Sequence, residues 1–463
     1  MGAELKTAIV LAAGNGTRMW PFADVRNKCA LPIGSVPGVR LLVDTLASAG
    51  VQRAVVVVGR HAASVRAALF GAATPITYVE QPRPGGTAEA VLTGLRAIDD
   101  PAFLIVYGDI YLDTPSVAAV SEAWAQGNSP AALVQPLHPP RRPQDWIGAF
   151  VDGDTLRGVE GHSREAPHRL CGLMACDRRI VPFLEANPGM MASVPVGGMP
   201  SAEAELAESL QRFIDSGNVV AAVETQGDFV DLDKPWHILE ANRARVAHVA
   251  GAMAESVIHP TARVHNGAEL RGKVVLGPGS VIGNRVIVDG NLLVGAGTEL
   301  INGAIVRGPA IVGDCCRVRD YCLVESHAVI GHRCVVGHGA EIDGVQFEGA
   351  YLWHYCEIFG VVGQSVDIGA ATVCGTLRFD DDATIHHIQG RREYPETGAN
   401  ATFFGDFSRT GVNVITQPGI KIGAYACVGA GVVLHEDVPS RTLRLLKSQE
   451  TIDRTWGPER YGW

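Results

Sequence analysis

Along the C-terminal half of the chain aliphatic residues return every six positions: Ile258, Val264, Leu270, Leu276, Ile282, Val288, Val294, Leu300, Val306, Val312, Val318, Val324, Ile330, Val336 and Ile342. Glycine often follows directly, as at 277, 283, 295, 313, 331 and 337. Six is not a multiple of the 3.6-residue helical turn, so no helix presents these positions as one stripe. A fixed period of this kind marks a solenoid whose repeats are stabilised by their neighbours. Three hexapeptides per triangular coil, with the aliphatics stacked inside, make a left-handed parallel β-helix. The rhythm breaks near 348–356 and resumes at Val362, Ile368, Ile422, Val428 and Leu434.

The first half is patterned differently. Continuous apolar or β-branched runs at 8–11, 53–58, 76–79 and 103–107 read as strands, and 39–49 and 87–97 have helical spacing. Such alternation predicts parallel strands covered by helices on both faces. The expected division is 1–245 for this α/β domain, 246–440 for the β-helix and 441–463 for a tail. In such sheets ligands bind beyond the carboxyl ends of the strands. That rule gathers the 12–18 loop, the Gln81–Thr87 segment and Asp109 into one crevice.

Composition narrows the field. A net charge of −10, with 19% charged residues and no basic run, argues against a nucleic-acid binder. No apolar stretch approaches the roughly 20 residues a membrane-spanning helix needs. The N-terminus leads directly into the first strand, which leaves no room for a signal peptide. The ten cysteines are scattered without a C-x-x-C pair, and reduced thiols in the cytoplasm are expected.

The chemistry concentrates in Leu11-Ala12-Ala13-Gly14-Asn15-Gly16-Thr17-Arg18, with Lys28 ten residues on. Glycines let a loop curl its amide groups around an anion, and Arg18 and Lys28 add two cations, as the triphosphate of a nucleotide requires. A Walker loop would end in Gly-Lys-Ser/Thr, and a dinucleotide loop would have a third glycine where Arg18 stands. Gln81 can pair with a base edge, and Gly86-Thr87 allows close backbone approach. Asp109 ends an apolar strand and Asp231 another. A carboxylate at the position of Asp109 is a natural Mg²⁺ ligand, and the two aspartates can converge only in the fold.

The constellation L-A-A-G-x-G-T-R-M-x-P…K-x-x-L-P resembles the signature of the sugar-1-phosphate nucleotidylyltransferases. The resemblance implies an α/β Rossmann-like nucleotidyltransferase domain followed by the β-helix. It implies nucleotide binding by Leu11, Ala12, Ala13, Gly14, Gly16, Thr17, Gln81, Gly86 and Thr87, catalysis by Arg18 and Lys28, and Mg²⁺ on Asp109 and Asp231. Asp231 lies in a segment similar to the family's Trp-x-Asp-x-Gly-Thr-Pro. Gly148, Glu160 and Gly172 match acceptor-binding positions. Gly161 stands where the family keeps a phosphate-holding lysine and Leu170 where it keeps asparagine. Either an unusual acceptor or a substitute cation, Arg141, Arg142 or Arg169, is therefore expected. The substrates implied are a nucleoside triphosphate and a sugar-1-phosphate or related phosphate.

Residues 354–438 resemble the acyltransferase half of bifunctional enzymes of the N-acetylglucosamine-1-phosphate uridylyltransferase type, especially the archaeal form. The matching pieces are Leu377-Arg378-Phe379-Asp380, Ile388-Gln389-Gly390-Arg391-Arg392 and Gly405-Asp406. The resemblance implies a homotrimer and places His354 as the base for acyl transfer from acetyl-CoA. Around it Cys356-Glu357 and Thr376 depart from the pattern, so a structural role for His354 stays open. A catalytically silent nucleotide-sugar sensor is the alternative from a different class. His386-His387, in a polar insertion, is expected to be loop.

Overall fold

The computed structural model describes residues 4–127, 129–187, 189 and 203–453. Its first half is built on a nine-stranded sheet. The order is Ile76–Glu80, Arg53–Val58, Thr7–Ala12, Ala102–Tyr107, His168–Asp177, Ala131–Pro136, Ala221–Glu224, Thr155–Gly161 and Ile147–Asp152. The first four run parallel, as the alternation predicts. The parallel pattern then fails: His168–Asp177 pairs antiparallel with both its neighbours. Beyond it the chain closes a tight hairpin, Ile147–Asp152 against Thr155–Gly161, whose first strand also pairs antiparallel with His168–Asp177.

Strand Thr7–Ala12 is buried along its whole length. Ala8, Val10 and Ala12 pack with residues of helices Gly38–Ser48 and Thr114–Gly127 on one face. Ile9 and Leu11 pack with residues of helices Thr87–Leu95 and Leu206–Asp215 on the other. The strand pairs with Arg53–Val58 on one side and Ala102–Tyr107 on the other, so the connections diverge at its carboxyl end and open a crevice there.

The second half is a parallel β-helix. Three ladders of short strands rise along it, with partners 18 residues apart, as in Val318 with Val336. The six-residue aliphatics from Leu276 to Ile342 form its buried interior. The break in rhythm has a local cause. Two coils are shorter, with Val336 paired to Leu352 and Ile342 to Ile358. At their tightened corner Gly344 and Gly360 stack with φ of 139° and 140°, and a Cβ on Gly344 would stand 2.0 Å from the Gly360 carbonyl oxygen. Leu352 and Ile358 therefore keep the interior rhythm two residues out of phase. The ladder continues through Leu443–Arg444, inside the expected tail, whose residues 454–463 lie outside the described ones.

Helix His237–Gly251, inside which residue 245 falls, seats the sheet half on the prism. Around it one apolar cluster unites Met19, Phe22 and Leu31 with Phe347, Val361 and Phe403. Arg26 crosses this junction to the fully buried Asp406 and to Gln364 Oε1 at 3.0 Å. Removing one partner of a buried pair strands the other, at a cost of about 3 kcal/mol. Arg26→Ala is therefore expected to lower the thermal midpoint of the full chain, and an unchanged midpoint would contradict this role. All ten cysteines are unpaired, and no helix among the described residues is long and apolar enough to cross a membrane.

Candidate functional site

The crevice at the end of strand Thr7–Ala12 is a cleft of about 570 Å³. The loop after the strand forms its floor. Gly16 adopts φ 64°, and at Gly14 no atom beyond its chain neighbours lies within 4 Å of where a Cβ would stand, so the backbone is open to a ligand. Asn27, buried beneath, fixes this shape. Its amide donates to the carbonyls of Ala12, Gly14 and Arg60 at 3.0, 3.3 and 3.2 Å, and its Oδ1 accepts from the Cys29 amide at 3.0 Å. The same side chain thus caps the short 3-10 turn Lys28–Ala30 that aims Lys28 into the cleft.

The two distant aspartates do converge. Strand Phe229–Asp231 pairs antiparallel with Ile110–Leu112, and the Leu232 amide donates to the Asp109 carbonyl at 2.9 Å. Lys28 pairs directly with Asp109. Burial opposes the charge on Lys28, but Asp109, Asp233 and Asp231 outweigh it and hold the ammonium well above its ordinary pKa. Asp231 moves the other way. Burial first, then the charges of Asp109 and Asp233, push its carboxyl up to about 7, although Lys28 and Arg169 pull against them. The burial of Cys29 pushes its thiol up, so it is no nucleophile.

Arg18 reaches Asp233 Oδ1 at 2.9 Å while remaining half exposed. Burial of Asp233 disfavours its charge, yet Arg18, Lys234 and Lys28 together hold its carboxyl below the usual range. The sequence reading missed Asp233, which stands two residues past Asp231, where the family segment has glycine. That departure was the available signal. Lys234 is buried and bonds Asp233 Oδ2 at 3.0 Å and Glu393 Oε2 at 3.4 Å.

Leu11, Ala13, Gly14, Gly16, Thr17, Arg18, Lys28, Gln81, Gly86, Thr87, Asp109, Gly172 and Asp231 all line this one cleft. Ala12 sits inside the strand and offers only its carbonyl, to Asn27. Gln81 donates to the Gly86 carbonyl and to Glu89, both at 3.3 Å. The Thr87 hydroxyl donates to Glu205 and accepts from the Leu206 amide, both at 2.7 Å, which anchors the second helix of the wall.

On the acceptor side the expected residues divide, Gly172 lining the cleft and two others standing off it. Gly148 and Glu160 face each other across the edge hairpin but do not line the cleft. A Cβ on Gly148 would meet the Ala166 Cβ at 2.5 Å, so glycine there serves packing, and Glu160 is exposed. By strand alternation their neighbours Ile147, Gly161 and His162 are the ones that reach the cavity. None of the three candidate cations lines the cleft. Arg141 pairs with Glu240 and Glu396, and Arg142 lies over the Tyr394 ring. Arg169 is buried between Trp146 and Phe229 and bonded to Gln135.

His354 is exposed on the prism, with ring centres of Trp353 and His338 at 6.1 and 6.3 Å. His386 is in a strand, not a loop: it is buried, bonded through Nε2 to the Ala399 carbonyl at 2.8 Å.

A glycine-floored cleft at the switch point of an α/β sheet, with two cations facing paired carboxylates, defines a nucleotidyltransferase. Comparison with known proteins agrees: residues 8–255 match the MobA-like NTP transferase domain, and the chain belongs to that family. Residues 252–348 match the GMPPB C-terminal domain. The bifunctional protein GlmU of Methanococcus maripaludis is 29% identical over 456 residues, covering 96% of this chain and 99% of its own. A bifunctional sugar-1-phosphate nucleotidylyltransferase/acetyltransferase of Sulfurisphaera tokodaii is 24% identical over 93% of this chain and 98% of its own. A solved UDP-glucose pyrophosphorylase complexed with UDP-glucose superposes with a TM-score of 0.46 at 17% identity, over 53% of this chain and 99% of that one.

Proposed function

We propose that the chain transfers a nucleotidyl group from a nucleoside triphosphate to a sugar-1-phosphate or related phosphate, releasing pyrophosphate. The observation that carries this reading is the meeting of Arg18, Lys28, Asp109 and Asp231 in one cleft. A phosphate oxygen of the acceptor attacks the α-phosphorus, and pyrophosphate leaves in line. No covalent enzyme intermediate is needed, so the protein contributes positioning and charge neutralisation. Lys28 holds the α-phosphate as charge builds on it, and Arg18 exchanges Asp233 for the departing pyrophosphate.

Asp109 and Asp231 fit a magnesium ion. They are hard oxygen donors brought into one cleft, and burial first, then the charges of Asp109 and Asp233, make Asp231 resist ionising. No group of three or more potential ligands stands ready among the described residues, so phosphate oxygens and water would complete the shell. When bound, the ion supplies charge neutralisation to the phosphates. Because Asp231 must shed its proton to serve, the acid limb of the rate–pH profile is expected to fall as pH drops through about 7. Raising the magnesium concentration is expected to move that limb to lower pH. A limb indifferent to magnesium would remove Asp231 from the metal.

The reading is tested by following pyrophosphate release while each nucleoside triphosphate is paired with a panel of sugar-1-phosphates. Burst or steady release with one pairing supports it. Binding of nucleotide without any release would instead support the silent sensor. The absence of a lysine at Gly161, with no arginine taking its place, supports an acceptor other than a common hexose-1-phosphate.

Acyl transfer from acetyl-CoA at His354 is the second reading, favoured by bifunctional relatives that align over nearly the whole chain. His354 lies exposed on the prism's outer surface, which suits a site closed by a neighbouring copy in a homotrimer. Thiol release from acetyl-CoA, lost in His354→Ala while nucleotidyl transfer persists, is the expected signature.

A further inference from the structure

One stretch of the prism departs from its coil length. Between Gln364 and Asp406 the chain takes 42 residues where an ordinary coil takes 18. The surplus leaves the prism and folds into a hairpin, His386–Ile388 against Arg391–Glu393. Its two-residue turn is Gln389-Gly390, with φ 50° and 79°, the paired left-handed conformation of a tight hairpin.

The hairpin points at the other half of the molecule. Ile388 is buried in the apolar cluster that joins the halves, and His386 packs on Trp236 with ring centres 4.9 Å apart. On the opposite strand Glu393 is buried against Lys234, which holds Asp233, the partner of Arg18. At the tip the Gln389 amide donates to Thr17 Oγ1 at 2.6 Å, across 372 residues of sequence. Gln389 also lines the nucleotide cleft, at the glycine loop and in contact with Thr17, the residue before Arg18.

We propose that Gln389 is a nucleotide-binding residue lent by the β-helix, its amide donating to the pyrophosphate end of the bound triphosphate. This rests on the nucleotidyl-transfer reading. An amide N–H poised beside a glycine loop and an arginine meets a polyphosphate oxygen as a charge-assisted donor. The hairpin's buried flank fixes the tip in advance, so little ordering is needed when the ligand arrives. The prism is then part of the nucleotide site, and its docking governs nucleotide affinity.

The test is calorimetric titration of the full chain with inorganic pyrophosphate in excess magnesium. Gln389 is exposed, so its substitution leaves the core intact and the thermal midpoint is expected to stay within error. Gln389→Ala is expected to weaken pyrophosphate about tenfold, the loss of one hydrogen bond to a charged group. Gln389→Glu is expected to weaken it further, because a carboxylate faces the anion. Thr17→Val separates direct contact from mere anchoring of the loop. In that background Gln389→Glu still weakens pyrophosphate if the contact is direct. Equal affinity of wild type, Gln389→Ala and Gln389→Glu overturns the proposal, as does a Gln389→Glu effect that vanishes with Thr17→Val. A wild-type chain that binds no pyrophosphate overturns the nucleotidyl-transfer reading itself.

Discussion

Lys28→Met is expected to lower nucleotidyl transfer about a thousandfold, the scale set by loss of a preorganised charge at a developing oxyanion. The ammonium is held charged by Asp109, Asp233 and Asp231 despite its burial, and methionine keeps the shape of the stem without that charge. The substitution also leaves three carboxylates facing one another with less compensation. The thermal midpoint in chelator should therefore fall, and magnesium should restore part of it without restoring turnover. Steady-state pyrophosphate release and a melting curve in each condition check both halves. Turnover within tenfold of wild type would take Lys28 out of the reaction.

Asp231→Asn should be inactive and more stable. The folded chain raises this carboxyl above its unfolded pKa, so the folded state binds the proton more tightly. Its charge therefore destabilises the fold above about pH 7, and the penalty lessens as pH falls toward the ordinary carboxylate range. Asparagine removes the charge altogether. At pH 8, without magnesium, it should stabilise the chain by something on the order of 2 kcal/mol, a gain that fades in acid. Magnesium should raise the midpoint of the wild type and leave that of the variant nearly unmoved. A variant that melts at or below the wild-type temperature at pH 8 would show that Asp231 is held by partners rather than strained. Stability surrendered at a site for the sake of a ligand is a common trade.

The parts of the site legible in the sequence are those tied to strand ends. The glycine loop and Asp109 each follow a strand of the parallel run, which delivers such positions to one edge, and Lys28 and Asp231 were legible through their place in the motif. The prism was legible because every coil repeats one interior demand. What escaped depends on contacts no local pattern encodes. Asn27 matters for three carbonyls gathered from separate turns. Asp233 matters because Arg18 folds back onto it. Ile147, Gly161 and His162 line the cleft beside Gly148 and Glu160, since a strand shows alternate side chains to opposite faces. The shortened coils were hidden because two glycines take the corner that a full turn otherwise occupies. Gln389 could not be found at all without knowing how the halves dock.

If Arg18, Lys28, Asp109 and Asp231 surround one activated α-phosphorus, the fate of labelled phosphate shows it most directly. Nucleoside triphosphate carrying label at either the α or the γ position is incubated with the acceptor that supports turnover. The account predicts α label in a sugar nucleotide and γ label in pyrophosphate, both abolished in Lys28→Met and Asp109→Asn. Label released as orthophosphate, or α label transferred undiminished by those variants, would contradict it.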